Sequence, residues 1–148
     1  VQQAGHLRSK KANVMIDLTR AIVDYLRADT ILSVKLGTFM GHAAVFSSSP
    51  VPTSVKKPFI VTVSISDVNL ETKNRTVREI TQDIAIYDDN DGSPLVIEEI
   101  SEYLREKFRA PFAVPDWSMS GLSLSGPVLN DSEHFYGRVL TARVVLDR

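Results

Sequence analysis

Apolar positions recur along this chain with two different periods, and each switch of period marks an element. Leu18, Ala21, Ile22, Tyr25 and Leu26 fall at i, i+3, i+4, i+7 and i+8, which predicts an amphipathic helix over about residues 16–28. Asp17, Arg20, Asp24 and Arg27 face elsewhere. A short helix is expected from Thr30 to Leu36, with Asp29 as N-cap and Gly37 past its C-terminus. Ala43 to Phe46 is a short strand candidate, and the Ser/Pro-rich residues 47–58 form a surface connection. In FIVTVSIS the period drops to two. Phe59, Val61, Val63 and Ile65 share one face, while Ile60, Thr62, Ser64 and Ser66 take the other, as in a half-buried strand.

The polar stretch 67–76, DVNLETKNRT, joins this strand to VREITQDIAIY, in which Ile80, Ile84 and Ile86 are in phase. The two make a hairpin whose arms are expected to extend beyond the sheet body. A helix over about residues 94–109 carries Ile97, Ile100, Leu104 and Phe108 as its stripe, with Ser93 able to cap it and Pro94 suited to its first position. Glu98, Glu99 and Glu102 lead and Arg105, Lys107 and Arg109 close, matching the helix dipole. After the turn APFAVPDW come SMSGLSLSG and GRVLTARVVL, the latter with Leu140, Ala142, Val144 and Leu146 in phase. The order predicts one α+β domain over residues 15–148: an antiparallel sheet of about four to five strands with two main helices packed on one face. Residues 1–14 are polar and basic, and stay open as an N-terminal arm that orders on a neighbouring subunit, upstream sequence, or an expression remnant.

Composition narrows the functional classes. The 148 residues carry a net charge of −1, which argues against a nucleic-acid or anionic-membrane surface as the main partner. The absence of cysteine removes disulfides, thiolate nucleophiles and thiolate zinc sites. No apolar run approaches the ~20 residues that span a bilayer, so a soluble, non-secreted protein is expected. The sequons at Asn74 and Asn130 are then chance matches.

The one metal-like pattern is YDDNDGSPLVIE, Tyr87 to Glu98. Against an EF-hand loop, Asp89, Asp91, Gly92 and Glu98 stand at the third, fifth, glycine and twelfth positions, but Tyr87 replaces the first ligand. A strand also enters and a helix leaves, so a turn whose acids (Asp88 to Asp91) sit at the positive end of a helix is the plainer reading. His6, His42 and His134 lie in separate segments without metal-ligand spacing. GLSLSG fails as a nucleophile elbow because Ser125 occupies the second glycine position. Asp88/Asp89 and Glu98/Glu99 are expected to be solvated, and the pairs Lys10-Lys11 and Lys56-Lys57 are too short for a nucleic-acid track. Trp117 suits either an interface anchor or a lid on the core. No catalytic constellation, P-loop or dinucleotide fingerprint emerges.

The order of segments does carry a resemblance. DLTRAIVDYLRAD, the Ser/Pro loop, the strand opening Lys57-Pro58-Phe59-Ile60-Val61, the strand ending Gln82-Asp83-Ile84-Ala85-Ile86-Tyr87, the helix IEEISEYLREKF and the strand GRVLTARVVL follow one another over residues 15–148. This resembles the tail terminator (tail completion, tail-to-head joining) proteins of long-tailed bacteriophages and related gene-transfer particles. The resemblance implies a non-enzymatic virion protein without a cofactor, placed at the tail–neck junction after assembly in the host cytoplasm. It implies a self-assembled ring, hexameric in the family, that caps the tail tube protein and meets the head–neck connector or stopper. No membrane or specific nucleic-acid contact is implied, although DNA passes through such a ring. The family's protruding hairpin corresponds to Asp67 to Thr76, so Asp67, Asn69, Glu71, Lys73, Asn74 and Arg75 are expected to touch the tube or neighbouring subunits. A head-closure or other neck ring is a second structural reading that suits the same exposed sheet edges. A small calcium-binding domain is a third. It is the cheapest to test: calorimetric titration with Ca²⁺ is expected to give no heat at millimolar ion, and a saturable heat would reinstate it.

Overall fold

A computed structural model of the chain describes residues 14–47, 51–52, 55–89 and 93–148. The first apolar stripe folds as α1, Val14–Arg27, with Leu18, Ile22 and Leu26 fully buried. α2, Thr30–Lys35, follows at once, and Asp29 caps it as expected: its Oδ1 accepts the N–H groups of Ile31 and Leu32 at 2.9 Å each. Gly37 is needed for a different reason than a helix end. A Cβ there would stand 2.0 Å from the Lys56 carbonyl oxygen, so only glycine lets the two segments touch.

Three short strands come next: β1, Thr38–Phe39; β2, His42–Ala43; and β3, Val45–Phe46. β1 and β2 form a small hairpin whose turn residues Met40 and Gly41 both have positive φ, at 52° and 81°. The main sheet is built on β4, Phe59–Asn69; β5, Val77–Asp89; β6, Ser118–Leu129; and β7, Phe135–Asp147, in the order β3-β4-β5-β7-β6. α3, Leu95–Lys107, leaves β5 and packs over β5 and β7, while α1 packs over β4 and β3. Both helices lie on one face, and the domain is α+β as predicted.

Two expectations need correction. The sheet is mixed, since β3 runs parallel to β4 with Val45 opposite Ile60. The long connection 47–58 is the cause: it returns the chain to the starting end of β3, which a tight turn could not do. The hairpin arms do not leave the sheet either. β5 pairs with β7 from Val77↔Asp147 to Asp89↔Phe135, so only residues 70–76 project.

The alternation of β4 leaves open which face is inside. The helices cover Ile60, Thr62 and Ser64, and on the other face Val61 is still buried while Val63 and Ile65 are exposed. Thr62 and Gln82 are nevertheless fully buried. Gln82 Nε2 donates to Thr62 Oγ1 (2.8 Å) and Thr19 Oγ1 (3.1 Å), while its Oε1 accepts from Ser64 Oγ (2.8 Å). A satisfied polar cluster removes the desolvation cost that the alternation rule assumes.

Asp29 ties the helical layer together. Its Oδ2 accepts from Lys107 Nζ at 2.7 Å and from Tyr103 Oη at 2.6 Å, and Lys107 also lies 3.8 Å above the Tyr25 ring centre. Burial works to raise the Asp29 carboxyl, but the bonds from Lys107, Tyr103 and the Leu32 N–H outweigh it and hold it below the ordinary value. The same contact, with burial, pushes the Tyr103 phenol up to about 12. A depressed carboxylate contributes stability above its unfolded value, about 3.9, and loses it as pH falls through that value and the lower folded one. Asp29→Asn is expected to cost roughly 1–3 kcal/mol at neutral pH. The wild-type urea midpoint should then fall more steeply than the variant's between about pH 5 and pH 3, and parallel curves would refute this role.

Candidate assembly surface

The hairpin tip is the surface the sequence singles out, and its geometry is a continued β-ladder. Leu70 N–H bonds the Val77 carbonyl at 2.8 Å and Thr72 N–H the Arg75 carbonyl at 3.1 Å, leaving Lys73 and Asn74 as the turn. Asn69 Oδ1 accepts the Glu71 N–H at 3.0 Å and shapes the approach. The six predicted contact residues then divide by role. Asp67 is half-buried and held by the Arg78 guanidinium, so it braces the hairpin. Arg75 pairs with Asp147 at 2.8 Å, and Arg148 N–H bonds the Thr76 carbonyl at 3.0 Å, which fastens the tip to the end of β7. Glu71, Lys73 and Asn74 are exposed, and their side chains reach no partner among the described residues.

Two features of this surface escaped the sequence reading. Val63, Ile65, Val68 and Leu70 form an exposed apolar strip running up β4 to the tip. The open face of the sheet also carries an aromatic row. Phe39, Phe46, Phe59, Tyr87 and Phe135 follow one another with ring centres 5.5, 6.3, 5.6 and 5.4 Å apart. A shallow cavity of about 500 Å³ beside this row is lined by Val51, Phe59, Val61, Ala85 and Tyr87, with Lys57 at its rim. The alternation of FIVTVSIS held the signal. It was open to either face, and the apolar phase of the neighbouring β5 decides, with Ile80, Ile84 and Ile86 buried on the face that Ile60, Thr62 and Ser64 share.

Of the acids expected to be solvated, Asp89, Glu98 and Glu99 are exposed, and each also pairs with a cation of the protein. Asp89 pairs with Lys57 at 2.7 Å and Glu99 with Lys35 at 3.2 Å. Glu98 Oε1 accepts from Arg138 Nε and Nη2 at 2.8 and 2.6 Å, and Asp131 takes Arg138 Nη1 at 2.6 Å. Burial opposes the Arg138 charge, but Glu98 and Asp131 more than restore it, while the Gly137 N–H and Arg138 hold Asp131 low. Arg138 was legible as the one charge in the buried phase of GRVLTARVVL. Two acids of the calcium-like pattern, Asp89 and Glu98, thus hold cations of the protein itself, while Asn90, Asp91 and Gly92 lie outside the described residues. Among the described residues no three His, Asp or Glu side chains gather as a metal site.

The other candidates resolve simply. His42 and His134 are exposed on separate segments, and Lys56 is exposed beside the paired Lys57, whereas His6, Lys10 and Lys11 lie outside the described residues. Ser125 belongs to β6, its hydroxyl directed to the Thr141 carbonyl. Trp117 packs partly against the core, with the Arg148 guanidinium 5.0 Å above its ring. No described helix is long and apolar enough to cross a membrane.

No family profile matches the chain, and no curated protein matches it in sequence. In solved structures the fold is similar to that of a chain from the virion of a native gene transfer agent particle, at 18% identity and a TM-score of 0.65. The match covers 86% of this chain and 94% of that one, so the likeness is of whole domain to whole domain.

If the tip works by contact rather than by folding, its charges are dispensable to stability. Lys73→Glu is expected to shift the unfolding free energy by less than about 0.5 kcal/mol. Arg75→Glu, losing an exposed pair, should cost up to about 1 kcal/mol. The double variant should stay folded by circular dichroism yet lose association in native mass spectrometry; unfolding would instead assign the hairpin to the core.

Proposed function

We propose that this chain is a structural virion protein of a long-tailed phage or phage-like particle, acting as a tail terminator. In this reading it assembles as a ring, of six copies in the resembled family, on the finished end of the tail tube. The ring stops tube polymerisation and presents a surface to the head–neck connector. It works through surfaces, without catalysis or a cofactor, and its place is the tail–neck junction.

The observation that carries this reading is the whole-domain likeness to a gene transfer agent virion chain, joined to the order of segments that resembles terminators. The described surface supports it. Exposed apolar residues gather along β4 and the hairpin, and the charged side chains around α3 are spent on internal pairs. Such an allocation suits a protein that binds copies of itself and neighbours.

Particles assembled without this chain test the reading directly. Overlong tails under the electron microscope are the expected outcome, because nothing ends the tube. Normal tails with tail-less, leaking heads would assign the chain to head closure, and normal particles would remove it from both roles.

A further inference from the structure

Among the described residues the sheet has two outer edges without a strand partner. β3 pairs with β4 at Ile60 and Val61, so the outer edge of residues 63–69 has no strand partner among the described residues. Ile60 turns its N–H outward to the Ala44 carbonyl and Thr62 its own to Phe46 in the parallel ladder, so by two-residue alternation Ser64 is the next outward N–H and meets no strand among the described residues. At the other end β6 pairs, among the described residues, only with β7. The Gly137 carbonyl accepts the Asn130 N–H, so Gly137 and every second residue to Val145 bond toward β6. Their partners Ser125, Ser123 and Gly121 are satisfied, which leaves Leu122 and Leu124 with outward N–H groups. Neither edge is guarded by a free charge, since β6 contains no charged residue and Asp67 on β4 is occupied by Arg78. The bulges at Met119/Gly121, Ser125/Val128 and Ser64/Ser66 and the proline at 127 leave Leu122 to Leu124 and Asp67 to Asn69 as regular edge.

The two edges also match in height and direction. Following the ladders across the sheet, Ser64 is level with Gln82, Ala142 and Leu124, and Asp67 with Ile80, Val144 and Leu122. β4 and β6 are antiparallel, because three antiparallel steps separate them. A rotation about an axis along the strands preserves strand direction. It therefore brings the β6 of one copy against the β4 of the next in the antiparallel sense, the stronger ladder.

The helical layer leaves room for the same neighbour. α3 lies over β5 and β7 but not β6, so a groove of about 430 Å³ stays open between α3 and β6, lined by Leu122, Leu124, Glu102 and Arg105. The α1 that rides on an incoming β4 bears the exposed Ile16 at its outer end, and it comes to this groove from the correct side.

We infer that copies of this chain join head to tail, the β6 edge of one pairing with residues 63–69 of β4 of the next, and that α1 of the second copy fills the groove beside α3 of the first. The inference rests on the ring reading above and specifies its contact. The contact is heterologous, so it propagates and closes rather than stopping at two copies.

Proline at an outward position removes an edge N–H while keeping the inner ladder. Native mass spectrometry of the full chain is expected to show a ring for the wild type and single 16.4 kDa chains for Ser64→Pro and for Leu124→Pro, each folded by circular dichroism. An equimolar mixture should give a two-chain species and nothing larger, since one good β6 edge meets one good β4 edge. If either variant fails to fold, Asn69→Pro or Leu122→Pro replaces it. A ring that persists in either folded variant overturns the inference and leaves the ring reading standing. A Ser64→Pro dimer would show β6 pairing with itself and also overturns it. A wild type that is monomeric at every concentration removes the ring reading and the inference together.

Discussion

The inward face of this sheet is set by the apolar phase of β5 and β7, with Ile80, Ile84, Ile86, Leu140, Ala142, Val144 and Leu146 fully buried, and the side-chain amide of Gln82 lets the polar residues of β4 share it. This amide is fully buried, and both its nitrogen and its oxygen are bonded to the hydroxyls of Thr19, Thr62 and Ser64. Because Thr19 comes from α1, the cluster pulls that helix onto the polar face of β4, against what the alternation of β4 alone would choose. A one-residue slip of register would turn Val63 inward and expose the cluster, so the hydrogen bonds and the register enforce each other. Everything on the far side follows: the aromatic row, the exposed valines and isoleucine, and a sheet without a second layer of helices.

Charge is used inward in the same way. Asp29 joins the α1–α2 corner to the end of α3 through Lys107 and Tyr103, and Arg138 joins β7 to α3 and the loop at Asp131. These ties fix the helical layer at both ends. They also occupy the carboxylates that would otherwise invite a metal or acid–base reading. A near-neutral chain whose buried charges are paired has its remaining freedom in shape and edge, and these are the currency of assembly.

The helices were legible because their stripes are long and strongly periodic, and Asp29 as a cap was legible because its residue type and position agree. The four long strands were legible as strands, whereas β1 was not expected and residues 43–46, read as one strand, divide between β2 and β3. What periodicity does not carry is the side on which a period-two pattern is buried, since both faces of FIVTVSIS are internally consistent and the tie is broken by residues far along the chain. The parallel β3–β4 pair was hidden for a similar reason, as a two-residue strand leaves almost no pattern. The hairpin was placed correctly, but its six residues read alike as polar. Only three-dimensional neighbours separate Asp67 and Arg75, which brace, from Glu71, Lys73 and Asn74, which stand free toward solvent. Arg138 was visible all along as a misfit in an apolar phase, and a misfit of that kind points to partners elsewhere.

The chain contains a single tryptophan, Trp117, at the start of β6 and beneath Arg148, at the end of the sheet from which the hairpin projects. The aromatic row lies at the opposite end and holds only phenylalanine and tyrosine. Indole emission therefore reports on that one pole, while the four tyrosines are spread over α1, β5, α3 and β7. Events at the hairpin end can be followed in the native sequence, with no label attached to the surface under study.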